Sequence, residues 1–222
     1  MFQEKTLIDK DYYSLGKVLE IHKFLWTFVT FGFTFIYGAN TYRMYLMNAL
    51  FSSYGLLWVL KSNIFYDVNF YTKKEFITNL STSIINFSSV SVYFLFPYIT
   101  ATNNVEITLI DTCTSLILYN FGGFLHYGAD CQKFYTLKYN KQLITDGFFS
   151  IIRHPNYAGE FLIWFSLIII SGKDKILSYI PLFWLTMATI FSGIPIKEKS
   201  LQKYDDYKKW EKNTNKLIPG IY

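Results

Sequence analysis

The chain has 222 residues, of which 51% are hydrophobic, 21% aromatic and only 17% charged, with a formal net charge of +5. A soluble domain carries about a quarter charged residues, so the composition excludes an ordinary water-exposed globule and points to a membrane protein of one domain's length. Two cysteines, Cys113 and Cys131, and three histidines, His22, His126 and His154, are too scattered for a disulfide framework or a metal cluster, and no metal is expected.

Residues 1–23 are polar to amphipathic, with a surface helix expected around 12–22. They hold no short apolar run ahead of a cleavage site, so no cleaved signal peptide is expected. Uncharged runs at 24–39 and 44–60 read as the first two spans. Both fall slightly short of the ~20 residues that a bilayer core asks for, and flanking Tyr and Thr extend them. Trp58 near Lys61 reads as an interfacial anchor. A polar connection at 61–75 leads to a third span at 84–101, and a fourth at 107–129 is interrupted by Asp111 and His126. The first of these reads as an acid of the outer interface, the second as a satisfied bundle histidine. Residues 130–156 form the longest internal polar segment. Spans five (157–171) and six (176–196) are separated only by Gly172-Lys173-Asp174-Lys175, which makes a tight helical hairpin. The lysine-rich tail from Lys197 keeps helical character to about Asn213.

The fold class expected is therefore all-α, a polytopic membrane bundle of about six transmembrane helices with a C-terminal hairpin and a cytosolic tail. No repeat or linker divides it, so 1–222 reads as one membrane-embedded domain. Its parts are a cytosolic N-terminal segment (1–23), spans one to four (24–129), and a region (130–222) holding a cofactor-binding loop, the hairpin and the tail. Six spans put both termini on one side. Of the 21 Lys and Arg, 18 lie in the N-terminal segment, 61–75, 130–156 and the tail. The positive-inside rule then places those four segments in the cytosol. The net charge is explained by topology, and no nucleic-acid partner is expected.

One stretch carries more polar chemistry than the lip of a span needs. Arg153, His154, Asn156, Tyr157 and Glu160 fall within eight residues. Pro155 reads as the first helical residue, where its missing N–H costs nothing, and the N–H groups of such a helix start suit a phosphate or carboxylate. The short hairpin makes Lys197, Glu198, Tyr204 and Tyr207 neighbours of this stretch, and Asp130, Gln132 and Lys133 lie just past span four. Taken singly, Arg153 and His154 read as interfacial cations, and Tyr157 and Trp164 as belt aromatics. Glu160 does not reduce to that. A carboxylate one turn into a span costs a few kcal/mol unless paired or facing a wet cavity, and is functional by default. Arg153, Lys197 or a ligand's amine or amide are its candidate partners.

The run Arg153-His154-Pro155-Asn156-Tyr157-Ala158-Gly159-Glu160, followed by the hairpin, Glu198, Tyr204, Tyr207 and Leu217-Ile218-Pro219, resembles a known superfamily. This is the one that includes steroid 5-alpha-reductases, sterol C14 reductases, isoprenylcysteine carboxyl methyltransferases and phospholipid methyltransferases. The resemblance covers roughly 126–222. Segments 129–133 and 54–61 resemble those of its steroid-reductase-like branch. It implies a helical enzyme of the endoplasmic reticulum or another endomembrane, whose cytosolic C-terminal half wraps a nucleotide-type cofactor while a lipidic substrate enters from the bilayer. Reductase members use NADPH and methyltransferase members S-adenosylmethionine. The Arg-His-Pro-x-Tyr-x-Gly core is closer to the methyltransferases, and the Asn-Tyr-x-Gly-Glu portion to the reductases.

Expected from this is an NADPH-dependent reductase acting on a C=C bond of a sterol- or isoprenoid-like lipid. His154, Tyr157 and Glu160 are its catalytic candidates. Asp130, Gln132, Lys133, Arg153, His154, Asn156, Tyr157, Gly159, Lys197, Glu198, Tyr204 and Tyr207 are its cofactor-binding candidates. In this reading Arg153, Lys133 and Lys197 hold phosphates. The alternatives are a methyltransferase acting on a lipid or prenylcysteine, with Glu198 or Glu160 on the amine of S-adenosylmethionine, and a non-catalytic membrane protein that retains the fold.

Overall fold

A computed structural model describes residues 12–66, 71, 77–103 and 105–220. Residues 1–11 of the N-terminal segment, and Asp67, Lys73, Lys74 and Glu75 of the polar connection, lie outside the described residues. The chain opens with a short strand, β1 (Tyr12–Ser14), paired antiparallel with β2 (Ile77–Asn79) so that Tyr13 faces Thr78. Helix α1 (Leu15–Tyr37) starts where the Ser14 side chain accepts the Lys17 N–H, and stops at Gly38, whose φ of 59° sits in the left-handed region that glycine adopts without strain. Helix α2 (Tyr42–Ile64) is capped by Thr41. Helix α3 (Leu80–Val90), capped by Asn79, runs through a 3-10 turn (Ser91–Phe94) into α4 (Leu95–Asn103). Helix α5 (Leu109–Tyr139) is capped by Thr108, and α6 (Pro155–Gly172) follows a 3-10 turn at Gly147–Ser150. The last long rod joins a 3-10 turn (Ile176–Tyr179), α7 (Ile180–Ala188), a π turn (Thr189–Gly193) and α8 (Ile194–Leu201). Helix α9 (Tyr207–Asn213) ends the order.

The protein is thus predominantly helical, and Leu80–Asn103 and Ile176–Leu201 are long and apolar enough to cross a membrane. Its surface fits that reading. Large apolar side chains such as Phe35, Ile36, Leu109, Ile110 and Ile176 face outward, while Thr30, Thr34 and Asn48 are buried. Between α1 and α2 the Thr30 hydroxyl donates to Asn48 Oδ1 (2.7 Å), and Asn48 Nδ2 donates to Thr34 Oγ1 (2.8 Å). Polar side chains bonding across helices, with apolar ones turned out, suit a lipid surrounding. The core is aromatic. Trp26 stacks on Phe51 at 3.9 Å, and Trp164 stacks on Tyr93 at 4.4 Å.

Helices α5 and α6 approach each other closely. A Cβ on Gly122 would stand 2.6 Å from the Gly159 carbonyl oxygen, and one on Gly159 would stand 2.5 Å from the His126 nitrogen. Only glycine lets the two backbones touch there. At one end of the bundle Arg43 donates to the Ile170 (2.9 Å) and Glu106 (3.3 Å) carbonyls, and Lys173 pairs with Asp111 at 2.7 Å. At the other end Lys61 pairs with Asp130 at 2.6 Å.

Several helices outrun the uncharged stretches that announced them. Helix α1 begins at Leu15 rather than at 24, so the expected surface helix at 12–22 is three strand residues followed by the first turns of α1. Helix α5 continues to Tyr139, which puts Asp130, Gln132 and Lys133 on a helix rather than in a loop. Backbone hydrogen bonding does not stop at a charge when the charge finds a neighbour, as Lys61 and Asp130 do in each other.

Candidate functional site

The polar stretch at the start of α6 divides into two clusters. The first surrounds Arg153 and His154, which the tail crosses: Ile152 bridges to Asn215, the Arg153 N–H donates to the Asn215 carbonyl (2.8 Å), and the His154 N–H donates to that of Lys216 (3.0 Å). Arg153 is 5% exposed. Its Nε donates to both Glu198 oxygens (3.0 and 3.2 Å), and its Nη1 donates to the carbonyls of Glu211 (3.1 Å) and Thr214. His154 Nε2 lies 2.8 Å from Glu198 Oε1, and the Tyr207 hydroxyl donates to Oε2 at 2.7 Å. Trp210 closes the group, donating from Nε1 to the Phe149 carbonyl at 2.8 Å. Burial, partly opposed by the Glu198 hydrogen bond, holds His154 below the ordinary imidazole range, so the neutral ring donates from Nε2. Burial and the Glu198 bond hold the Tyr207 phenol above its ordinary range, and it stays a donor. This cluster ties α6, α8 and the tail into one knot.

The second cluster lies inside the bundle. Glu160, the sixth residue of α6, accepts the Tyr54 hydroxyl at 2.7 Å. His126 approaches the Asn156 carbonyl through Nδ1 at 3.1 Å. A carbonyl only accepts, so Nδ1 carries the proton and Nε2 is an acceptor. That Nε2 is buried and has no hydrogen-bond partner among the described residues, as are the Tyr127 hydroxyl and Trp164 Nε1. The Lys23 ammonium stands over the rings of Trp26 (3.8 Å), Tyr54 (4.6 Å), Tyr93 (5.1 Å) and Trp164 (5.4 Å). The Lys61–Asp130 pair sits one turn of α5 beyond His126.

The remaining candidates fall around these two. Tyr157 lies under the Lys197 ammonium, 4.3 Å from the ring centre, and its hydroxyl faces the π turn, where a Cβ on Gly193 would stand 2.8 Å away. Lys133 is within electrostatic reach of Tyr157. Gln132 accepts the Phe148 N–H (3.0 Å) and donates to the Asp146 carbonyl (3.0 Å), pinning the turn after α5. Gly159 is consumed by the α5–α6 crossing. Tyr204 lines a surface depression with Gln142, Leu143, Thr145, Asp205 and Asp206, a rim whose charges are acidic.

Four expectations change. The anion site at the start of α6 is largely taken up, because Pro155 has no N–H, those of Tyr157 and Ala158 are bonded to the His154 carbonyl, and those of Arg153 and His154 are bonded to the tail. Arg153, expected to hold a phosphate, is turned onto Glu198 and the tail carbonyls. Glu160, expected beside Arg153 or Lys197, is met by Tyr54 from α2. His126, read as a satisfied bundle histidine, is satisfied on one nitrogen only. Lys23, Tyr54 and Trp164 were not singled out as site residues. The one signal for Lys23 was its place against the uncharged run that begins at Phe24.

Fold and clusters together define a predominantly helical chain, compatible with an all-α membrane protein, that carries a polar site in its bundle interior. The chain belongs to the family described as "Protein of unknown function (DUF1295)", whose model matches residues 62–215. The match takes in α5, α6 and the tail knot, and begins after Lys23 and Tyr54. No curated protein matches the chain.

Proposed function

We propose that the protein is a membrane oxidoreductase that uses NADPH to reduce a C=C bond of a sterol- or isoprenoid-like lipid. In this reading about six helices span an endoplasmic-reticulum-type membrane, with both termini in the cytosol. The observation that carries it is the 2.7 Å bond from Tyr54 to Glu160. A phenol and a carboxyl joined inside a helix bundle, beside the unpartnered His126 Nε2, make an acid–base pair for which the fold has no evident need. Saturating a C=C bond requires a proton at one carbon, and this pair can hold and release one. The likeness of 156–160 to the reductase motif adds to the argument, as does the distribution of Lys and Arg over the two ends.

When bound, NADPH would supply the hydride. Lys197 and Lys133, both within reach of Tyr157, would be the cations that meet its phosphates. Arg153 acts one step removed, by holding the tail against α6. The methyltransferase reading loses ground on a specific point: Glu198, one of its two carboxylates for a cofactor amine, is filled by Arg153, His154 and Tyr207.

The test is the melting midpoint of the full chain in detergent with each cofactor at matched concentration, followed by NADPH oxidation in the presence of lipid. NADPH is expected to stabilise the protein and S-adenosylmethionine to leave it unchanged. Stabilisation by S-adenosylmethionine alone would establish the methyltransferase reading. If neither stabilises it and Glu160→Gln changes no cellular lipid, the chain is non-catalytic.

A further inference from the structure

Helix α5 has a second face, turned away from both clusters. On its inner side Ser115 and Gly122 are buried, and Gly122 is pressed on Gly159 of α6. On the opposite side Ile110, Cys113, Ile117, Asn120 and Phe124 are all exposed. Their spacing of three, four, three and four residues is the period of the seam along which two helices supercoil. Four of the five suit contact with lipid. Asn120 does not.

Its depth makes the misfit costly. Helix α5 is pinned near each end by an ion pair, Asp111 with Lys173 and Asp130 with Lys61. The two acids stand nineteen residues apart, about 28 Å of helix, close to the ~30 Å of a bilayer's hydrocarbon core. With α5 spanning the membrane, Asn120 faces lipid near the midplane. Its Nδ2 donates to the Leu116 carbonyl of its own helix at 2.7 Å. The second N–H and the lone pairs of Oδ1 have no partner among the described residues, and no water reaches that depth.

A carboxamide is its own complement, since the negative oxygen of one meets the positive N–H of another. All copies of the chain share one orientation in the membrane, so two α5 helices pair in parallel. A parallel pair about a twofold axis sets each seam residue opposite its own copy, and Asn120 then meets Asn120. Gly123 lies beside the seam, where a Cβ would meet only the Tyr127 ring of the same helix, at 3.7 Å. Its bare Cα lets a second backbone come near.

We infer that the exposed face of α5 from Ile110 to Phe124 is a homodimer interface within the membrane, joined by the Asn120 carboxamides of two copies. The inference rests on α5 spanning the membrane, and is independent of the reductase reading.

Cys113 lies on the same seam two turns before Asn120 and reports its register. In a parallel pair the two Cys113 Cα atoms come within the ~7 Å that a disulfide spans. The test uses the full chain carrying Cys131→Ser, in phosphatidylcholine vesicles at increasing dilution in lipid, oxidised with copper phenanthroline and run on a non-reducing gel. A disulfide-linked dimer is expected. Asn120→Leu in the same chain should lower the linked fraction about tenfold at high dilution. Asn120 is exposed and bonded only to its own helix, so this variant should melt no lower than its parent. A chain whose sole cysteine is supplied by Leu118→Cys, off the seam, should not link. A chain that stays monomeric, its amide held by the Leu116 carbonyl alone, overturns the inference. So does a linked fraction that Asn120→Leu leaves unchanged, or one that Leu118→Cys matches. A dimer that does not link through Cys113 places the contact on another face and overturns it too. An alkaline carbonate wash separates this failure from that of the topology. An unlinked chain that stays with the vesicles sinks the dimer alone, and one that washes off sinks the spanning reading with it.

Discussion

The eight residues from Arg153 to Glu160 feed two clusters that differ in one respect. Around Arg153 and His154 the polar atoms are answered from within the chain: Glu198 takes the guanidinium Nε, the imidazole and a phenol, and the Glu211 and Thr214 carbonyls take Arg153 Nη1. Around Glu160 the answers run out, and His126 Nε2, the Tyr127 hydroxyl and Trp164 Nε1 are buried without hydrogen-bond partners among the described residues. A saturated polar network rigidifies what it joins, whereas an unsaturated one is costly unless something else completes it. The knot therefore reads as architecture and the interior cluster as the place where a ligand reacts, although the motif alone shows the two as one patch.

Arg153→Met puts this contrast under the heaviest load. It leaves Glu198 buried against a vanished charge, and breaking a buried pair costs about 3–5 kcal/mol. Thermal unfolding should shift accordingly, and limited proteolysis should cut the tail near α9 long before it cuts the wild type. Gly159→Val comes next. Its Cβ would press on the His126 backbone and wedge α5 from α6, at about 1–3 kcal/mol, the usual range for overpacking. Denaturant midpoints would measure it. A variant as stable as the wild type would mean that the α5–α6 contact yields more readily than its geometry implies.

How the two clusters differ in legibility follows from distance along the chain. The hairpin turn at 172–175 fixes the start of α6 beside the end of α8, and Arg153 is indeed bonded to Glu198. That the pair would serve each other, rather than a ligand, depended on tail residues 211–216 folding back across α6, which no local pattern announces. Glu160 stood out because a carboxylate in an apolar run is costly. Its partner Tyr54 is 106 residues away in the chain and sits among ordinary α2 residues. Helix centres were visible as uncharged runs. Helix ends were not, since Lys23, Lys61 and Asp130 are charges held inside helices by aromatic faces or by each other.

Acid should loosen the knot more gently than either substitution. The folded state holds His154 below its ordinary value, so the neutral ring is the form that the fold favours. Its contribution to stability is complete above the ordinary imidazole pKa of about 6.5, and is lost progressively as the pH falls below it, because the unfolded chain takes up the proton first. Melting midpoints measured downward from pH 7.5 should show this loss. His154→Gln, which can still donate to Glu198 but cannot titrate, should remove it. A loss that persists in His154→Gln would assign the acid sensitivity to another group.

Glu160→Gln should disturb the fold least of all, and it separates the clusters most sharply. A glutamine carbonyl oxygen can accept the Tyr54 hydroxyl as the carboxylate does, so stability should stay within about 1 kcal/mol of the wild type. Turnover should not survive in proportion. If the Tyr54–Glu160 pair delivers the proton, removing its titratable member should lower the rate by about 100-fold or more, the scale of a lost general acid. The knot predicts the opposite pairing, with a large loss of stability at Arg153 and an activity loss that follows the unfolded fraction. A Glu160→Gln protein that melts as early as Arg153→Met would make Glu160 a structural residue like those of the knot. One that folds normally and keeps full turnover would remove Glu160 from the chemistry and leave Tyr157 and His154 to account for it.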